Sequence, residues 1–163
     1  MPVDQSQLSQ NTYCIVGNGQ YAQSQSFTPT KGEIIGVMIN KYSATSGTPN
    51  DLVIAIRTNN AGVPSATVLT SKTYTYAQWN AFSNGMVFVP FTPVALTPAT
   101  VYHIVMTAGN TGGIYFLGNY NSSVYAGGNR CQSITAGSSW SAQTDDLAFQ
   151  TLYAPNSQII ITG

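Results

Sequence analysis

Few residues in this 163-residue chain are able to do covalent or acid–base chemistry. There is one histidine, His103, with two cysteines, Cys14 and Cys131, and five carboxylates, Asp4, Glu33, Asp51, Asp145 and Asp146. A serine hydrolase would have to use His103 as its base, yet that residue sits inside the apolar run Val101–Thr107, and no serine stands in a nucleophile-elbow context. His103 is therefore expected as a core or half-buried histidine. Glycoside hydrolysis needs two carboxylates facing the sugar across a fixed gap, whereas Asp145 and Asp146 are chain neighbours at a strand entrance, a position suited to turn capping or to a cation. These two are the candidate metal ligands. The ion would be calcium, since hard cations take carboxylate and carbonyl oxygen, and two acidic residues would need backbone oxygens beside them. No other cofactor is expected. Neither cysteine has a CxxC partner, and a single histidine cannot complete an ordinary zinc site. A Cys14–Cys131 bridge would close a long loop, and the sequence leaves open whether it forms. The expectation is a protein without catalytic residues.

Binding chemistry has more to rest on. Between Gly118 and Trp140 the aromatic residues Tyr120, Tyr125 and Trp140 are interspersed with Asn119, Asn121, Asn129, Arg130 and Gln132. Sugars are held by aromatic faces together with amide and guanidinium donors, so Tyr120, Tyr125, Asn129, Arg130 and Trp140 are the candidate glycan-binding residues. The same residue types also fill sandwich cores and oligomer interfaces. At the far end, Ile159, Ile160 and Ile161 form a short apolar run after Pro155 that must be buried somewhere, and they are the candidate assembly residues.

The elements that would position these side chains are strands almost throughout. The runs 33–42, 52–58, 86–91, 101–107 and 147–153 are short, β-rich and separated by clusters such as Ser46-Gly47-Thr48-Pro49-Asn50 and Asn59-Asn60-Ala61-Gly62-Val63-Pro64. In Leu52–Ile56 both faces are apolar, which predicts a strand covered on both sides. In the run 101–107, Tyr102, Ile104 and Met106 share one face and Val101, His103 and Val105 the other. Tyr76, Trp79 and Phe82 fall at three-residue spacing, which predicts a single helical turn between strands. The expected fold is all-β: a single antiparallel β-sandwich, jelly-roll-like, over residues 13–153. A polar N-terminal arm over 1–12 and a C-terminal extra strand over 154–163 complete it.

Composition narrows the function classes. Five Lys and Arg stand against five Asp and Glu, where an ordinary domain of this length carries about 40 charged residues. Thr, Ser, Asn and Gln fill the deficit with 59 residues. The five basic residues are scattered, leaving no electrostatic footprint for nucleic acid. No apolar run approaches the length of a membrane helix, so membrane insertion is not expected. Met1–Gln10 lacks the basic flank and apolar stretch of a signal peptide, which suits a protein made without an export signal or a mature form with its signal removed.

From Gln25 to Tyr153 the chain resembles a β-sandwich module that recurs in bacterial surface proteins and in virion proteins of tailed bacteriophages. The blocks that carry the likeness are Gln25-Ser26-Phe27-Thr28, Ser46-Gly47-Thr48-Pro49-Asn50-Asp51-Leu52-Val53-Ile54 and Leu96-Thr97-Pro98-Ala99-Thr100-Val101-Tyr102-His103-Ile104-Val105. Tyr125-Ala126-Gly127-Gly128-Asn129-Arg130 follows, then Ser139-Trp140-Ser141 leading into Asp146-Leu147-Ala148-Phe149. The resemblance implies a scaffold used for display, sugar binding and assembly. The expected function is a non-catalytic virion structural protein, a bacteriophage capsid decoration or fibre-type protein at the virion surface, whose partners are further copies of itself, a capsid protein and a host surface glycan. The alternative is a carbohydrate-binding module or adhesin domain at a cell surface.

Overall fold

The structure is a computed structural model and describes residues 1–109 and 112–155. In chain order the strands are β1 (Val3–Gln7), β2 (Thr12–Gly17), β3 (Ala22–Phe27), β4 (Glu33–Lys41), β5 (Ser46–Gly47), β6 (Leu52–Asn60) and β7 (Val63–Tyr74). After helix α1 (Tyr76–Ala81) come β8 (Gly85–Ala95), β9 (Tyr102–Ala108), β10 (Gly113–Tyr120), β11 (Arg130–Ser133), β12 (Ser141–Ala142), β13 (Asp146–Leu147) and β14 (Phe149–Leu152). One sheet runs β12-β11-β3-β9-β6-β7. In the other, β4 lies between β8 and β14, and β1 extends it beyond β14. There β10 meets the end of β4 at Leu117 and β13 at Asn119, while β2 lines its opposite edge. Every named pairing is antiparallel, and the two sheets form the β-sandwich that the strand spacing predicts.

Period-two alternation fills the space between the sheets. Leu52, Ile54 and Ile56 of β6 and Ile104 and Met106 of β9 are wholly buried, and they belong to one core with Val37, Ile39, Val89 and Leu117 of the facing sheet. Each such side chain contributes about 1.5–3 kcal/mol by leaving water. The expected helical turn is present. Thr75 and Gln78 form a reciprocal capping box, and the first turn that they fix drives Trp79 into the core. Lys41 Nζ then donates to the carbonyls of Asn80 and Phe82 at the end of α1.

The N-terminal stretch differs from a free arm. Val3–Gln7 runs as strand β1 against β14, because an edge position asks only for backbone pairing on one side and accepts polar side chains. Tyr125 Oη holds it from the side through Gln5 Oε1 at 2.7 Å. The assembly residues Ile159, Ile160 and Ile161 lie outside the described residues.

Candidate functional site

At one end of the sandwich the interior is polar. Gln23 and Gln25 of β3 lie on the inward face with Phe27, and the register of β11 sets Gln132 opposite Gln23 and Arg130 opposite Gln25. These side chains join the two sheets by hydrogen bonds. Gln25 Oε1 accepts from Leu147 N–H at 2.8 Å and its amide donates to Asp146 Oδ1 at 3.1 Å, while Gln23 donates to the carbonyl of Ile15 at 2.8 Å. Arg130 makes a two-pronged pair with Asp145, Nε to Oδ1 at 2.8 Å and Nη2 to Oδ2 at 2.9 Å. Its remaining nitrogen, Nη1, donates to Gln23 and Gln132.

This polar end is open. The chain passes from β2 to β3 through a tight corner closed by Gly17 N–H and the carbonyl of Tyr21 at 2.8 Å. Beside that corner a cleft of about 430 Å³ separates the two sheet edges. Thr12, Tyr13 and Cys14 of β2 line one wall, Gln23, Arg130 and Gln132 the other, with Tyr21, Asn119 and Asp145 between them. Asn119 Nδ2 donates to Asp145 Oδ2 at 2.7 Å, and Asn119 Oδ1, in a residue only 3% exposed, has no hydrogen-bond partner. Burial pushes the Cys14 thiol up to about 12, which keeps it protonated and removes it as a nucleophile. The cleft is thus equipped for hydrogen bonding and aromatic contact.

Beyond the mouth, on the outer face of the same sheet, Tyr13 stacks with two further rings. Tyr42 lies 5.2 Å away, tilted by 42°, and Phe116 lies 5.1 Å away, edge to face. Tyr13 is 50% exposed and Tyr42 38%. Neither β2 nor β10 carries a charged residue.

The five sugar-binding candidates are held by different parts of the fold. Arg130 lines the cleft. Tyr125 packs edge to face on Phe149 at 5.1 Å and anchors β1, so its ring belongs to the packing between elements. Asn129 N–H donates to Ser26 Oγ at 2.8 Å, in a loop where Gly128 lies so close to the Ser26 carbonyl that a Cβ would meet it at 2.2 Å. Trp140 folds back on its own turn, donating to the carbonyl of Gly137 at 3.1 Å, and Tyr120 is half-buried at the end of β10. Asp145 and Asp146, the candidate metal ligands, both meet N–H donors. Asp145 is taken by Arg130 and Asn119, while Asp146 Oδ2 accepts the amides of Val124 and Tyr125 at 2.7 and 2.9 Å and Oδ1 accepts from Gln25. No cluster of three or more metal-ligating side chains occurs among the described residues.

His103 lies on the opposite, outward face of the β3–β9–β6 sheet and is wholly buried. Two register shifts near Arg57 bend the β6–β7 hairpin. Its tip, turned by Ala61 and Gly62 at positive φ, comes back over that face, so that Gly62 O accepts from Cys131 Sγ at 3.5 Å. Asn59 Oδ1 takes the Gly62 amide at 3.1 Å and lies 3.0 Å from His103 Nε2, which makes Nε2 the protonated nitrogen and Nδ1 the acceptor facing Ser24 Oγ at 3.4 Å. Burial lowers the pKa of His103 to about 4. Cys131 points to this face while Cys14 points into the core, and both thiols are free and buried.

The cleft residues given no role from the sequence are Thr12, Tyr13, Ile15, Tyr21 and Gln23, with Tyr42 and Phe116 beside Tyr13. β2 sets Cys14 and Val16 against the core and Tyr13 and Ile15 on the other face, and Thr12-Tyr13-Cys14-Ile15-Val16 carries no polar–apolar alternation to announce it. No model of a known protein family matches the chain, and no curated protein matches it.

Proposed function

We propose that the chain is a non-catalytic structural protein of a virion surface, a capsid decoration or fibre-type protein that packs against copies of itself or a capsid protein. The observation that carries this reading is the charge-poor periphery of the sandwich. Among the described residues, strands β2, β5, β8 and β12, each paired on one side only, contain no charged residue, and β1, β7 and β13 contain one each, Asp4, Lys72 and the buried Asp146. Charges on edge strands are a common device that keeps β-proteins apart, and aromatic side chains are enriched where proteins meet. A periphery so poor in repulsion, with Tyr13 and Tyr42 exposed, suits a surface that neighbours cover. The resemblance of the sequence blocks to virion display modules supports the same reading.

Sedimentation of the full chain at low and high salt tests it. The expected result is a closed oligomer that persists at high salt, because little of its interface is ionic. A chain ended after Pro155 should associate less, since it lacks Ile159, Ile160 and Ile161. A monomer at every concentration and salt, with no association to capsid-protein particles, would overturn the reading.

A further inference from the structure

We infer that the outer face of strands β8, β4, β10 and β2 is the surface on which a second copy of the chain docks, the two faces meeting across a two-fold axis with Tyr13 and Tyr42 in the contact. The inference rests on the assembly reading and deepens it by naming the surface and its partner.

This face is apolar where a solvated sheet would be polar. An antiparallel sheet with one side in water alternates apolar inward with polar outward. Here Val87, Val89, Val37, Ile39, Leu117 and Val16 point into the core. The outward positions between them hold Met86, Phe88, Met38, Phe116, Tyr13 and Ile15, none of them charged and only the tyrosine carrying a polar group. Register gathers them into one patch, with Phe88 opposite Met38 and Ile15 opposite Phe116. The Tyr13 ring lies 5.2 Å from Tyr42 and 5.1 Å from Phe116, which joins β2 to the end of β4 and to β10. Asn40 continues the patch to β8, its Nδ2 lying 3.8 Å from Met86 Sδ.

The opposite sheet shows what such a face requires. Its outward residues Ala55 and Val105, paired across β6 and β9, are 2% and 1% exposed. The tip of the β6–β7 hairpin closes over the same side, where Asn59 meets His103 and Gly62 meets Cys131. The outer face of β8, β4, β10 and β2 has no such closure: Tyr13 is 50% exposed, Tyr42 38%, and Met38, Met86, Phe88 and Phe116 are half-buried.

Area and charge select the occupant. Tyr13 and Tyr42 together expose about 180 Å², taking about 200 Å² for a whole tyrosine, and their half-buried neighbours bring the face to roughly 500 Å². Two such faces remove about 1,000 Å² from water, the size at which a specific contact between proteins holds. A copy of the same uncharged face meets no like charge. Sheets stack face to face at about 10 Å through interdigitating side chains, and a two-fold operator uses one patch on both copies and closes the pair.

The test is sedimentation equilibrium of the full chain beside Tyr13→Lys, Tyr42→Lys and Ile134→Lys, with thermal unfolding to show that each variant is folded. Ile134 is 62% exposed and follows β11 in the other sheet, so its substitution is the control. Each face substitution puts a charge into the contact and is expected to raise the dissociation constant at least about tenfold, while Ile134→Lys leaves it unchanged. Folded Tyr13→Lys and Tyr42→Lys proteins that associate as the wild type does overturn the inference and leave the assembly reading standing. Association that Ile134→Lys weakens equally has the same consequence, as does association that is lost on ending the chain after Pro155 but kept in both face variants. A wild type that is monomeric at every concentration and salt fails the assembly reading itself, and the inference with it.

Discussion

Acidification should loosen the sandwich through one residue. His103 is wholly buried under the β6–β7 hairpin, its two nitrogens are committed to Asn59 and Ser24, and burial lowers its pKa from 6.5 to about 4. Two further titratable or charged groups come near it. Arg57 lies opposite it on β6, with its Nε unpartnered, and Cys131 shares Ser24 from β11. A second positive charge beside Arg57 has no nearby carboxylate among these partners to offset it. The unfolded chain takes up a proton near pH 6.5 and the folded chain only near pH 4, so between those values unfolding binds the extra proton. Stability is therefore full above pH 6.5, declines as pH falls, and levels off below about 4. The gap corresponds to about 3 kcal/mol, each pKa unit being worth about 1.36 kcal/mol. Urea unfolding followed by tryptophan fluorescence, with Trp79 as the buried reporter, measures the loss at a series of pH values. Carboxylates also titrate near the lower limit, so the decisive quantity is the difference between wild type and His103→Gln, which keeps an amide donor for Asn59 and does not titrate. A wild-type loss that exceeds the variant's by about 3 kcal/mol over this window is expected. Parallel stability curves for the two proteins would refute the reasoning.

The polar end of the sandwich yields two further predictions. Arg130→Met leaves the half-buried Asp145 without its partner and should cost about 1–3 kcal/mol in chemical unfolding, while adding Asp145→Leu should recover most of the loss; equal losses for the single and double variants would contradict the pairing. Calcium and chelator should leave the melting temperature unchanged, because the oxygens of Asp145 and Asp146 accept from N–H donors, and a rise with calcium would contradict that assignment.

The apolar half of the fold is written locally, and the polar half is not. Leu52–Ile56 announces a covered strand by being apolar on both faces, Tyr102, Ile104 and Met106 announce one face by their period-two spacing, and the three-residue spacing of Tyr76, Trp79 and Phe82 announces the turn that buries Trp79. In contrast β3, Ala-Gln-Ser-Gln-Ser-Phe, looks like solvent-exposed chain, yet all six residues are buried. Gln25 is buried because Asp146 and Leu147, more than 100 positions away, satisfy its amide, and no local pattern encodes such a partnership. The same holds for the cleft. Arg130 stands out in the sequence as a sugar-binding donor, but its pairing with Asp145 converts both into supports, and Tyr13 and Tyr21 join them only through the β2–β3 corner. His103 was legible as a buried strand histidine, whereas the hairpin that covers it depends on two register shifts that leave no mark in composition.

Placement in a particle is the central claim, and quantitative mass spectrometry of virions purified from the source of the chain tests it most directly. The account predicts the chain in purified particles at many copies, in fixed ratio to the capsid protein and retained through a high-salt wash. Its absence from the particles, together with its recovery in the cell-surface or secreted fraction, would contradict the account and leave the sandwich as an adhesin or carbohydrate-binding module.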